Sequence, residues 1–186
     1  LIRSAEVYRL VQEADKFGLE VGDVKFDPKK IIKRSRDVSD QVSKGISFLM
    51  KKNKIEHIEG FGTIKNKGVI EVSKDGEVHT TVNAKKIVIA TGGFTRSLPG
   101  VEIDKKKIIS SREALVLDKL PKSITIIGGG PIGVEFAYFY NSFGVKVTIV
   151  EMLSQILPFE DEEIAKTLQR SFKKYKINLM LETRVE

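Results

Sequence analysis

The sequence predicts an α/β fold in which parallel sheets are joined to an antiparallel β-meander, and three observations predict it. Between Ile55 and Asn83 short β-like runs follow one another, punctuated by Gly68 and an Asp75-Gly76 turn. Between Ile124 and Leu181 apolar runs alternate with helical stripes in the order β-α-β-α-β, which calls for a parallel sheet with right-handed crossovers. The first of those runs ends in Gly128-x-Gly130-x-x-Gly133, and a helical pattern opens directly behind it.

The chain has 186 residues, enough for one domain or parts of two. Hydrophobic residues make up 41% and charged residues 31%, a balance that supports a packed core. No apolar run is long enough to cross a membrane and no signal-peptide pattern occurs, so no membrane is expected as a partner. With no cysteine, disulfides and thiolate metal sites are excluded within these residues. His57 and His79 have no ligand-like partner spacing and read as surface strand residues, so no metal site is expected. The net charge of +7 comes from lysine clusters at 51–54, 85–86, 105–107 and 173–176. Aromatic residues do not interleave with them as base-stacking platforms would, which argues against nucleic acid as a partner.

Taken in order, Ser4 to about Phe17 carries Val7, Leu10, Val11 and Ala14 at helical spacing and closes at Gly18. Asp27-Pro28 reads as an N-cap followed by proline at the first helical position, and a long helix to about Asn53 follows. Its stripe of Ile31, Ile32, Val38, Val42, Ile46, Leu49 and Met50 is expected to be core. The β-like runs are Ile55–Ile58, Phe61–Ile64, Val69–Val72 and Val78–Asn83. A more apolar strand, Lys86–Ala90, then ends in Thr91-Gly92-Gly93, where paired glycines permit a ligand to approach the backbone. A polar connection through Leu98-Pro99-Gly100 and a short helical stretch around Arg112–Leu117 lead to a domain boundary near residues 118–120.

Ile124–Ile127 reads as a strand buried on both faces, Val145–Val150 as a second buried strand, and Ile177–Leu181 as a third. In the turn between the first strand and its helix, Gly128 makes the tight bend and Gly130 lets backbone approach a pyrophosphate. Gly133 lets the helix pack closely on the strand. The free N–H groups and positive end of the helix then hold phosphate. Glu151, ending the second strand, supplies a carboxylate for an adenosine ribose, each charge-assisted bond contributing about 1.5–3 kcal/mol. A 2′-phosphate there would meet like charge, at a cost of about 4 kcal/mol at 4 Å and an effective dielectric of 20. Met152, Leu153 and Ser154 follow, with no arginine to receive that phosphate, so the expected cofactor is NAD rather than NADP.

Together these residues resemble the pyridine nucleotide-disulfide oxidoreductases, and among them the dihydrolipoamide dehydrogenases. The resemblance runs from Leu1-Ile2-Arg3-Ser4-Ala5-Glu6 through Glu59-Gly60-Phe61-Gly62, Ile89-Ala90-Thr91-Gly92 and Leu98-Pro99-Gly100. It continues through Ser110–Leu115, Leu120-Pro121-Lys122, Gly128–Glu135, Ile156-Leu157-Pro158 and Asp161-x-x-Ile164. It implies a Rossmann-type FAD/NAD(P)-binding fold, with residues 1–118 as the later part of an FAD domain and 119–186 as the first part of an NAD domain. It implies FAD and NAD as cofactors. Gly62 would lie near the flavin's adenine, and Thr91, Gly92 and Gly93 would pass close to the cofactor. Gly128, Gly129, Gly130, Pro131, Ile132, Gly133 and Val134 would line the NAD pyrophosphate, Glu151 its ribose and Val185 its adenine. Glu135 would pair with a family lysine beside the flavin; an acid favoured by the helix dipole is the plainer reading of that residue. Gly93 and Pro131 depart from the family's commoner side chains.

The chain begins at Leu1 within a helical pattern and stops at Glu186 just past a strand, so it is expected to be a piece of a larger protein, incomplete at both ends. By the resemblance, the redox cysteine pair and the His-Glu acid–base pair lie outside it, so no catalytic residue is expected within. For the intact protein the resemblance implies a homodimer serving the lipoyl-bearing component of a 2-oxoacid dehydrogenase or glycine cleavage complex. The compartment implied is the cytoplasm, or the mitochondrial matrix or a plastid. Alternatives are another family member, such as a mercuric or glutathione-type reductase or an NADH oxidase, and a non-catalytic NAD-binding module.

Overall fold

A computed structural model describes residues 1–186 and resolves two compact units, one of Leu1–Asp37 with Thr95–Glu186, the other of Val38–Phe94. Asp118–Leu120 lie within the first unit.

In the first unit a parallel three-stranded sheet forms from β4 (Ser123–Ile127), β5 (Lys146–Val150) and β6 (Asn178–Met180), in the order β4-β5-β6. Helices α4 (Pro131–Ser142) and α5 (Glu162–Lys174) connect them, giving the β-α-β-α-β order that the sequence predicts. β5 is the central strand and its Val147, Ile149 and Val150 are buried. β4 is not buried on both faces as its apolar run suggests. It is an edge strand whose Ile127 remains exposed, and apolar composition alone does not distinguish edge from centre. Val134, Ala137 and Tyr140 of α4 pack with Phe172 of α5 and Ile149 of β5 in one apolar cluster.

The first helix, α1 (Ile2–Gln12), also joins this core through Ala5, and a 3-10 turn at Ala14–Phe17 closes at Gly18. Arg9 fastens α1 to α4. Its Nε donates to Ser142 Oγ at 2.6 Å and Nη2 to Asn141 Oδ1 at 2.7 Å, while the guanidinium lies 3.9 Å from the Tyr175 ring centre. Tyr8, Phe26 and Phe143 form an aromatic triangle beside it.

Helix α2 (Pro28–Lys52) starts where Asp27 caps it, Oδ1 accepting from the N–H of Lys29 at 2.9 Å. Its apolar stripe is not core: none of its residues is buried, and Val42 is 59% exposed. Helical periodicity identifies the face but not whether another element covers it.

The second unit is built on an antiparallel meander of β1 (Phe61–Asn66), β2 (Val69–Lys74) and β3 (Glu77–Asn83). The β2–β3 turn places Asp75 at φ +52° and Gly76 at φ +89°, the double left-handed geometry that an Asp-Gly pair favours. Two expected strands do not form. Ile55–Ile58 and Lys86–Ala90 are coil, and Val88 is 89% exposed. An apolar run becomes a strand only when another strand offers ladder hydrogen bonds, and none pairs with either segment here. His57 therefore lies in coil and His79 on β3. Both line an open hollow with Glu56 and Glu59, and no group of three side chains converges there to hold a metal ion. The lone short helix beyond the second unit, α3 (Ser111–Ala114), carries a capping box between Ser110 and Glu113. No helix is long and apolar enough to cross a membrane.

Candidate functional site

The site is built where β4 and β5 end side by side. Gly128 leaves β4 with φ +106°, a conformation that suits only glycine, and its N–H donates to the Val150 carbonyl at 2.9 Å. The chain thus turns across the ends of both strands before α4 begins. Gly130 caps α4 with extended backbone and Pro131 stands in the first turn, where its missing N–H costs no helical bond. A Cβ on Gly133 would collide with the Gly128 carbonyl oxygen and lie 3.3 Å from Ile126 Cγ2, so helix and strand approach too closely for any side chain. A Cβ on Gly130 would meet nothing within 4 Å. The space over Gly130 is open, as a cradle for a ligand pressed against backbone must be.

The first helical bond of α4 runs from Val134 N–H to the Gly130 carbonyl at 3.1 Å. No hydrogen bond within the chain engages the N–H groups of Gly130, Ile132 or Gly133. These are the orphan donors of a helix start, and with the positive end of the helix dipole they favour an anion. Val134 contributes no donor of this kind, and its side chain lies in the core.

Glu151 is the only charged side chain among the buried residues. Its backbone N–H donates to the Met180 carbonyl and its carbonyl accepts from Thr183 N–H, which fixes it between β5 and the segment after β6. Its Oε2 accepts from Gly129 N–H at 2.7 Å and its Oε1 from Leu153 N–H at 2.9 Å. These two bonds replace part of the hydration that burial removes. A carboxylate offers about four acceptor positions, so both oxygens can still receive ribose hydroxyls. Val185 stands two residues beyond Thr183 in the same segment, half-buried.

The structure therefore brings Gly128–Gly133, Glu151 and the segment leading to Val185 to one end of the parallel sheet. Glu135 is exposed on α4. Gly62 lies on β1, and Thr91, Gly92 and Gly93 lie in coil; all four are exposed and belong to the second unit. Gly92 has φ +75°, and a Cβ on Gly92 or Gly93 would meet no atom within 4 Å. What the motif conceals is Gly129, formally a free position. It is buried, bonded to Glu151, and leaves no room for a Cβ, which would fall 2.9 Å from Ile156 Cγ2. The signal in the sequence is the unbroken Gly128-Gly129-Gly130 run, where the motif asks for only two of the three.

Comparison with known proteins identifies the family. The family profile described as pyridine nucleotide-disulphide oxidoreductase matches residues 4–186. A dihydrolipoyl dehydrogenase from Chlorobaculum tepidum is 47% identical over 175 residues, covering 94% of this chain and 37% of that protein. The Bacillus subtilis dihydrolipoyl dehydrogenase is 42% identical, covering 100% of this chain and 41% of the other. Among solved structures, LpdA from Mycobacterium tuberculosis superposes with a TM-score of 0.88 at 25% identity, covering 98% of this chain and 40% of that one. The HOCl-induced flavoprotein disulfide reductase RclA from Escherichia coli superposes with a TM-score of 0.72 at 30% identity, over 95% and 38%. The chain spans about two fifths of the length of the relatives it matches.

Proposed function

The chain belongs to the pyridine nucleotide-disulphide oxidoreductase family, and we propose that it forms the NAD-binding start and part of the FAD-binding region of a dihydrolipoamide dehydrogenase-like enzyme. In the intact protein, electrons would pass from dihydrolipoamide through a disulfide and FAD to NAD. Residues 1–118 would belong to the FAD domain and 119–186 to the NAD domain. The observation that carries the reading is the Gly128–Gly133 turn, open over Gly130 and with the N–H groups of Gly130, Ile132 and Gly133 unengaged, beside a buried carboxylate at the end of β5.

Proteins of this family use FAD and NAD(P), which supply two-electron redox chemistry when bound. The residues present bind and orient. The N–H groups of Gly130, Ile132 and Gly133 would donate to pyrophosphate oxygens, and the absent Cβ of Gly130 lets those oxygens reach the backbone. Pro131 costs no donor there, and Gly128, Gly129 and Val134 hold the turn and helix in place. Glu151 would accept the hydroxyls of an adenosine ribose and repel a 2′-phosphate, and it forms no ion pair that would offset that repulsion. Val185 would lie by the adenine and Glu135 toward the flavin. Gly62, Thr91, Gly92 and Gly93, all exposed, would lie along FAD. The redox cysteines lie outside these residues, which contain none, so the chain alone would bind nucleotide without turning over lipoamide. A lipoyl-bearing component of a 2-oxoacid dehydrogenase or glycine cleavage complex is the partner this reading entails, with a homodimer as the working state.

Titrating the 186-residue chain with NADH and NADPH by fluorescence tests the reading. Saturable NADH binding is expected, with NADPH at least about tenfold weaker and the difference reduced in Glu151→Ala. Equal affinity for both nucleotides in the unsubstituted chain would remove Glu151 as the selecting group. No saturable NADH binding would sink the module itself.

A further inference from the structure

The glycine turn is held from behind at Gly129, by Glu151 on one side and on the other by Leu157, which neither the motif nor the proposed chemistry uses. The N–H of Gly129 donates to Glu151 Oε2, and its carbonyl accepts from Leu157 N–H at 2.7 Å. Leu157 reaches that carbonyl with φ +51°, in the left-handed region that residues other than glycine disfavour. Its neighbours keep it there. Glu160 N–H donates to the Leu157 carbonyl at 2.9 Å, and Gln155 Nε2 reaches the carbonyls of Leu157 at 3.4 Å and Glu160 at 3.2 Å. Ile156, fully buried, presses its Cγ2 against the face of Gly129.

The Gly129 carbonyl is the acceptor that Gly133 N–H would take if α4 began one residue earlier. Leu157 occupies it instead, so the first helical bond falls to Val134 and the Gly133 N–H stays unengaged. The peptide joining Gly129 to Gly130 is planar and trans. Turning its carbonyl toward Leu157 therefore turns the Gly130 N–H the opposite way, off the loop that follows β5.

We infer that Leu157 is a positioning residue for the diphosphate of a bound dinucleotide: its left-handed backbone takes the Gly129 carbonyl and so keeps the leading N–H groups of α4 free and aimed at the ligand. The identity of the ligand rests on the function proposed above; the clamp is a property of the chain by itself.

Two substitutions separate positioning from packing. Leu157→Val keeps an apolar side chain but is β-branched and resists the left-handed region, whereas Leu157→Asn tolerates that region and gives up the apolar contact. NADH titration of both is expected to show Leu157→Val weakened roughly fivefold to tenfold and Leu157→Asn within roughly twofold of the unsubstituted chain. If Leu157 only packs, the order reverses, and that result overturns the inference. Amide hydrogen exchange followed by NMR reads the clamp without a ligand. In the unsubstituted chain the Leu157 amide should be protected and the Gly133 amide open, with Gly133 gaining protection in Leu157→Val. A rapidly exchanging Leu157 amide in the unsubstituted chain overturns the inference even if Leu157→Val does not fold. Failure of NADH to bind the unsubstituted chain would count against the proposed function, while the exchange pattern would still decide the clamp.

Discussion

Tyr140 shows how one polar atom is accommodated in the core beneath the site. Its ring is fully buried, and its hydroxyl donates to the Ala114 carbonyl at 3.0 Å, tying α4 to α3. Tyr140→Phe leaves that buried carbonyl without its partner and is expected to cost about 1–3 kcal/mol in denaturant unfolding. Burial also pushes the Tyr140 phenol up to about 12 from the ordinary value of 10.0. The folded chain therefore keeps this proton where the unfolded chain has released it. The resulting contribution is fully present below about pH 10 and is lost as pH rises toward about 12. Thermal unfolding of the unsubstituted chain and Tyr140→Phe should thus differ most near neutral pH and converge above about pH 10. A gap that stays constant across that range would mean that the phenol titrates alike in both states.

At the scale of elements, Gly130 and Gly133 divide ligand approach from helix–strand packing, the two jobs that the motif assigns them. Gly130→Ala puts a methyl group into open space, so its unfolding midpoint should match the unsubstituted chain while NADH binding is lost or weakened at least tenfold. Gly133→Ala drives a methyl group into the Gly128 carbonyl and must push α4 off β4. Overpacking of this kind costs about 1–3 kcal/mol, and calorimetry should show it with no ligand present. Equal loss of stability in the two variants would contradict the assignment of roles. The packing of α1 on α4 offers a second check. Arg9→Ala removes two hydrogen bonds from a guanidinium and its stacking on Tyr175, and should lower stability by about 2–3 kcal/mol in urea unfolding.

At the scale of the whole molecule, order is distributed unevenly. The first unit holds the buried aromatic and aliphatic cluster around β5, while in the second Val72 is the only buried side chain. Because protection from exchange follows buried apolar contact, amides of β5 should exchange orders of magnitude more slowly than those of β2. Similar protection in the two sheets would show that the meander draws stability from something other than its own core. The sequence by itself determined the meander with its Asp75-Gly76 turn, the β-α-β-α-β order, the glycine turn and Glu151 at the strand end, because period, turn chemistry and spacing are local properties. Only the tertiary structure decided that β4 is an edge, that the α2 stripe is uncovered and that Lys86–Ala90 lacks a pairing strand, because burial and ladder bonds need a second segment that no local pattern names. It also decided that Glu151 and Leu157 grip Gly129 from both sides. Those bonds join residues more than twenty positions apart, and the left-handed turn at Leu157 that makes one of them possible leaves no signature in its side chain.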